Sequence, residues 1–437
     1  MKENVFVQLM KTELIPALGC TEPVAFALVG AMGRKYAPGE IQKISIVGSG
    51  LMVIGVQAVL IPNSGGKRGG LLSTALGIIA GDADLDMEVL SKVTPADVKA
   101  AENLVATGKL SIDMVSPAPS IYLEMTMETD QHTVTVILQN EHNGIKCVKQ
   151  DGKVLFDKRE KEDSPQETQP KYSAYDSVLS VDSIYDFCKT CDISEMTHIK
   201  TAIELTRALC KDGLDNPYGM QVARTLQDNI TKGVVANDEI TQILIWTIAG
   251  IDARMGGSQY SAMSNTGSGN QGIICSMAPM AAGDYRGCTE EEVMRAVAFS
   301  NLLNIYLDYR SREYAHLSPM CYCGGVAPAA AAGGVAFLHG ATKEQIADTL
   351  CSTLGNLPGI ICDGAKASCA FRSYTGLAGA LQAMLMAEKG LRTSNTEGIV
   401  HDTVDVTINN IYRLQKECMP ITDEFVFKIK KEQKSIC

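Results

Sequence analysis

The feature that most constrains the fold is a change of hydrophobic period on either side of residues 158–172. Before it, apolar and polar residues alternate at Tyr122–Glu128 and Thr133–Gln139, and at Ile145–Lys149 and Val154–Phe156 around Asp151-Gly152. Period-two alternation marks strands with one buried face, and Asp-Gly between two such runs marks a hairpin. Ile41–Val47 and Leu51–Ile61 also read as strands, and the region as a whole predicts an antiparallel sheet. From Ser180 to Met419 nearly every segment reads as helix, broken by Gly, Pro and Ser, with no sustained alternation. Residues 158–172 are charged, carry two prolines and contain no aliphatic residue, the composition of a linker or exposed loop.

The pattern predicts an α+β chain with a smaller α+β domain over 40–157 and a large, mainly helical catalytic domain over 173–437. Residues 1–39 read as helices that pack on the catalytic domain, with Thr21-Glu22-Pro23 as a helix start. Further helices are expected over Leu71–Ala80 and from Thr94-Pro95 to about Gly108. Aromatic residues are only 5% of the chain, so Ala, Gly, Met, Leu and Ile must fill the core.

A net charge of -11 with no basic run excludes a nucleic-acid or anionic-membrane partner on electrostatic grounds. The N-terminus has scattered charges and no apolar core of a signal peptide. Two uncharged stretches, 44–66 and 314–342, are too interrupted by Gly, Pro, Gln or His to read as membrane spans. Fourteen cysteines without a secretory signal point to a reducing, cytoplasmic setting, where thiols serve as ligands, catalysts or small core residues.

Three cysteine settings stand out. Cys20 lies between Gly19 and the helix start at Thr21, where the helix dipole favours a thiolate. Cys321 and Cys323 precede Gly324-Gly325, and Cys362 opens Cys362-Asp363-Gly364-Ala365-Lys366 with Cys369 close behind. The ordinary reading of each is a small core residue near a turn. The one CxxC, Cys188-Lys189-Thr190-Cys191, lacks a second pair and reads as coincidence or surface thiols. Two glycine-rich loops, Asn63–Gly70 and Asn265–Gly272, match neither a dinucleotide nor a phosphate-loop signature, and suit a small carboxylate or serve as connectors. His316, near Cys321, reads as a solvated histidine before it reads as a proton carrier.

Together, Gly19–Pro23, Gly267–Gly272, Cys323–Gly325 and Cys362–Lys366 resemble the L-cysteine desulfidase family, related to iron–sulfur L-serine dehydratases. The resemblance implies a [4Fe–4S] cluster on three cysteines with one open iron. Carried over, the ligands are Cys20, Cys323 and Cys362, with Cys321 and Cys369 as alternates. The reaction implied is elimination of sulfide from L-cysteine to give pyruvate, ammonia and hydrogen sulfide. Lys67 and Lys366 are the candidate bases, and Asn63, Ser64, Ser268, Gly269, Asn270 and Gln271 are the candidate holders of the substrate's carboxylate and amino groups. Cys437 reads as a terminal residue, or as a tail thiol that occupies the open iron. The partner is a small amino acid, and a homo-oligomer is compatible with the sequence.

Three other readings compete. An iron–sulfur L-serine dehydratase differs by one atom in the leaving group, and kinetics with both substrates separate the two. A pyridoxal-phosphate lyase accounts for the glycines but leaves the thiols idle. A non-catalytic iron–sulfur sensor binds the amino acid without releasing sulfide, and the acidic charge and missing DNA-binding signature count against it.

Overall fold

A computed structural model describes residues 4–17, 21–116, 118, 119, 121–159, 175, 178–312 and 319–433. Cys20, His316, Cys437 and most of the 158–172 segment lie outside the described residues. The fold is α+β and divides into two compact units. One comprises Met1–Gly19, Gln169–Cys362 and Ala367–Met419; the other comprises Cys20–Thr168, Asp363–Lys366 and Pro420–Cys437, each over its described residues. Eight described strands are numbered in chain order: β1 Leu14–Ala17, β2 Ile41–Gly48, β3 Leu110–Met114, β4 Tyr122–Thr129, β5 Thr133–Gln139, β6 Ile145–Gln150, β7 Lys153–Asp157 and β8 Ala262–Asn265.

The sheet unit carries β2–β7 in the order β3-β2-β4-β5-β6-β7. Every neighbouring pair is antiparallel except β2 with β3. The alternation seen in the sequence becomes alternating burial along β4, where Leu123, Met125 and Met127 are wholly buried. Asp151 and Gly152, at φ 51° and 78°, form the turn between β6 and β7, the left-handed pair that a two-residue hairpin needs. On the core side lie the helices Glu22–Tyr36, Gly70–Ala80 and Pro95–Ala106. Thr94 and Asp97 close a capping box at the start of the last of these, where Pro95 costs no hydrogen bond.

Two expectations fail here. Leu51–Ile61 is not a strand: Gly50–Gly55 is a helix and Val56–Ala58 a short 3-10 turn, with Met52, Val53 and Ile54 buried. An unbroken apolar run has no period that separates a buried strand from a buried helix. β3 falls between the expected helix end at Gly108 and the next expected strand, and it adds the one parallel pairing to a sheet expected to be antiparallel.

The helical unit contains the long helices Thr197–Asp215, Glu239–Gly256, Gly269–Arg286, Glu290–Arg312, Val326–Leu338, Lys343–Asn356, Cys369–Ala387 and Val404–Cys418. Val326–Leu338 is apolar on every side, and all residues from Val326 to Phe337 are buried, as expected of a central helix built from Ala and Gly. The helical reading of residues 1–39 is broken by β1, which pairs with β8 in a small antiparallel ladder, Leu14 opposite Asn265. Four residues are too few to show a period, so neither strand was visible in the sequence. Cys188 is a core residue of the Val181–Thr190 helix rather than a surface thiol, and Cys191 caps that helix. Among the described residues no helix is long and apolar enough to cross a membrane.

Candidate functional site

In the helical unit, Asn265 and Ser268 exchange backbone hydrogen bonds across Thr266 and Gly267, which adopt φ 51° and 84°. This tight turn delivers the chain from β8 into the Gly269–Arg286 helix. Ser268 caps that helix, its hydroxyl accepting from the Gln271 N–H at 3.4 Å. Asn265 is wholly buried and holds the turn in place: its amide donates to Asn301 Oδ1 at 2.9 Å and accepts from Asn304 at 2.9 Å. Gly269 to Gly272 are all buried, with Asn270 and Gln271 each 5% exposed.

Against this helix start stands a group of thiols. Segment 319–323 is held beside 360–362 by the Cys321 N–H donating to the Ile360 carbonyl at 2.7 Å and the Cys362 N–H donating to the Pro319 carbonyl. Cys369 opens the Cys369–Ala387 helix, and that helix passes so close to Gly324 that a Cβ on Gly376 would lie 2.0 Å from the Gly324 carbonyl oxygen. Cys323, Cys362 and Cys369 are thereby gathered with Cys321. Burial pushes the Cys321 thiol well above its ordinary range, and repulsion from the other three adds to that. The Cys323 thiol is pushed up to about 12, first by burial and then by Cys369, while the Ser268 hydroxyl and the Arg254 charge pull it down. Ser268 Oγ lies 3.8 Å from Cys323 Sγ.

Arg254 was not among the residues expected from the sequence. It comes from the last turn of Glu239–Gly256, donates from Nη1 to Asn270 Oδ1 at 3.0 Å, and lies over Gly269. Its signal was present: Asp252 and Arg254 are the charges in an otherwise apolar helical stretch, Ile243 to Gly256. Ionic residues on a buried stretch need a reason to be there.

The remaining expected residues belong to the sheet unit. Asn63 donates to the Leu90 carbonyl at 3.0 Å, and Ser64, 3% exposed, donates to Ile61 O at 2.7 Å and accepts from Lys67 N–H at 3.0 Å. Lys67 is paired with Glu102 at 2.5 Å. Lys366 is paired with Asp363 and donates to the Gly364 carbonyl at 2.9 Å. Each lysine is thus engaged by a carboxylate, and either reaches a substrate proton only after its pair opens. His142, passed over in the sequence, has Nε2 buried without a hydrogen-bond partner; burial lowers its pKa and the Glu22 carboxylate opposes that.

The donor set suits a soft metal: several thiols gathered beside a cation and a helix start, with Cys321 and Cys323 raised by burial and then by their neighbours. Among the described residues, no three His, Cys, Asp or Glu side chains already stand in metal-coordinating positions.

Comparison with known proteins adds to this geometry. The family model described as serine dehydratase alpha chain matches residues 84–428. A protein of Lachnoclostridium phytofermentans carrying the name UPF0597 protein is 36% identical over 425 residues, spanning 97% of this chain and 98% of its own. A UPF0597 protein of Dichelobacter nodosus is 33% identical over 430 residues, spanning 98% and 96%. One from Photobacterium profundum is 33% identical over 427 residues, 98% of each chain.

Proposed function

The chain belongs to the serine dehydratase alpha chain family, and from that premise we propose that it is an iron–sulfur lyase eliminating sulfide from L-cysteine. The observation that carries the reading is the gathering of Cys323, Cys362 and Cys369 near the start of the Gly269–Arg286 helix, where Ser268 Oγ stands 3.8 Å from Cys323 Sγ. The resemblance favours Cys20 as the third ligand beside Cys323 and Cys362, whereas the grouping in the helical unit favours Cys369. These thiols would hold a [4Fe–4S] cluster, which would supply Lewis-acid chemistry toward a soft sulfur group.

The chain's own residues then have defined work. The turn at 265–268 and the first helical turn after it present buried polar groups and backbone N–H groups to the carboxylate and amino group of the substrate. Lys366, four residues after Cys362 in the chain, takes the α-proton once its pair with Asp363 opens. Loss of the α-proton and of sulfide leaves aminoacrylate, which takes up water to give pyruvate and ammonia. The overall balance is L-cysteine plus water to pyruvate, ammonia and hydrogen sulfide.

The test is sulfide and pyruvate release from L-cysteine by anaerobically purified, iron-reconstituted protein. Equal amounts of both products, lost on exposure to air, support the reading. Pyruvate from L-serine with no sulfide from L-cysteine replaces it with the serine dehydratase reading, which the description of the matching family favours. Activity that survives air and follows added pyridoxal phosphate overturns the metal assignment.

A further inference from the structure

The Gly269–Arg286 helix begins with a residue that has no side chain because a guanidinium occupies the space. A Cβ built on Gly269 would stand 2.3 Å from Arg254 Nε, 2.7 Å from Cζ and 3.0 Å from Nη2. The guanidinium therefore lies over the first turn, with Nη1 donating to Asn270 Oδ1 at 3.0 Å. Asn270 is itself held by donating to Met255 Sδ at 3.4 Å. Ser268, the residue before Gly269, has its Oγ 3.8 Å from Cys323 Sγ, so cation and thiol flank the same helix start within the helical unit. Two positions beyond Gly269, Gln271 Oε1 is buried without a hydrogen-bond partner. An orphaned acceptor costs stability unless a donor arrives to fill it.

We propose that Arg254 is the specificity-determining anchor for the α-carboxylate of the substrate, with Gln271 Oε1 receiving its α-ammonium. This rests on the reading that an α-amino acid is the substrate. The guanidinium fork matches a carboxylate in plane and spacing, as a lysine ammonium does not. The first-turn N–H groups of the helix add to the positive field on the same side. Recognition of both ends of the zwitterion excludes amines without a carboxylate and acids without an amine.

The test compares L-cysteine with cysteamine, which lacks only the carboxylate. Binding of each to metal-free protein is measured by calorimetry, and KM and kcat for L-cysteine are measured on the reconstituted enzyme. Arg254→Gln weakens L-cysteine by about 10- to 100-fold, the worth of hydrogen bonds to a charged group, and leaves cysteamine unchanged. Gly269→Ala keeps the charge but pushes the guanidinium aside, and produces the same selective loss on a smaller scale. Iron and sulfide content in both variants match the parent. Equal loss for both ligands, no loss for either, or a parent that binds L-cysteine no better than cysteamine overturns the assignment. If the enzyme acts on L-serine alone, the desulfidase reading fails, and the same contrast read with L-serine against ethanolamine still decides Arg254.

Discussion

The loop at 63–70 turns its polar side chains back on neighbouring backbone, whereas the loop at 265–272 meets groups brought from other elements. Asn63 and Ser64 donate to the carbonyls of Leu90 and Ile61, and Lys67, its side chain 48% exposed, runs out to Glu102. In the other loop, Ser268 lies beside Cys323, Asn270 holds Arg254, and Gln271 keeps an unused acceptor. Both loops are rich in Gly, Asn and Ser. What separates them is burial: charge in the second is enclosed, where electrostatic interactions are strong, and in the first it faces water.

The sharpest break of that comparison is at the thiols. Cys323→Ser is expected to lower sulfide release by about a thousandfold or more, since a Lewis-acid metal contributes several kcal/mol. Iron content should fall with it, read by metal analysis and the loss of visible absorption. Cys369→Ser and Cys20→Ser, compared in the same assay, decide the third ligand: the one that loses iron holds it.

Next in size is Lys366→Met, expected to reduce kcat by about 10²- to 10⁴-fold, the usual worth of a positioned base. Iron content and folding should be unchanged. A variant within threefold of the parent removes Lys366 from the role of proton acceptor.

How much of this was legible depends on length and period. β4 and β5 were readable because seven or eight residues show an alternation, and the capped start at Thr94-Pro95 because its chemistry is local. β1 and β8 were not, being four residues each and joined across some 250 positions. The thiols at 321, 323, 362 and 369 were each visible, but their convergence depends on the bridge between Met320 and Ile361 and on Gly376 passing over Gly324. Arg254 was hidden because its work is done against Gly269, fifteen residues away on another helix.

Enclosed charge also predicts a pH response. Asp252, 1% exposed on the helix that carries Arg254, accepts from the Ala223 N–H at 3.1 Å, yet burial raises its pKa to about 6. A raised carboxylate pKa means that its contribution is fully present below the unfolded value near 4 and is lost as pH rises through 6. The loss approaches about 3 kcal/mol, at 1.36 kcal/mol per unit. Asp252→Asn should remove that slope, so denaturant midpoints of parent and variant diverge between pH 4 and pH 7 in the variant's favour. Parallel curves would mean that Asp252 is solvated in the native state.

A smaller contrast lies between the asparagines. Asn270→Ala removes the seat of Arg254 and should lower kcat/KM for L-cysteine by about tenfold, the worth of one hydrogen bond to a charged group. Asn63→Ala should leave kcat/KM alone and cost about 1 kcal/mol of stability, since it loses one hydrogen bond to the Leu90 carbonyl. Reversal of the two results would make the 63–70 loop the substrate site.

The smallest effect is expected at Lys67. Its ion pair with Glu102 is short but half-exposed, and Lys99 stands 3.7 Å from the same carboxylate, ready to take over part of its charge. Exposed pairs of this kind contribute about 1 kcal/mol or less. Lys67→Met should therefore shift the unfolding midpoint slightly, less still at high salt, and leave sulfide release near the parent rate. A loss as large as that expected for Lys366→Met would show that the exposed loop reaches the substrate, and the contrast between enclosed and exposed charge would no longer separate site from scaffold.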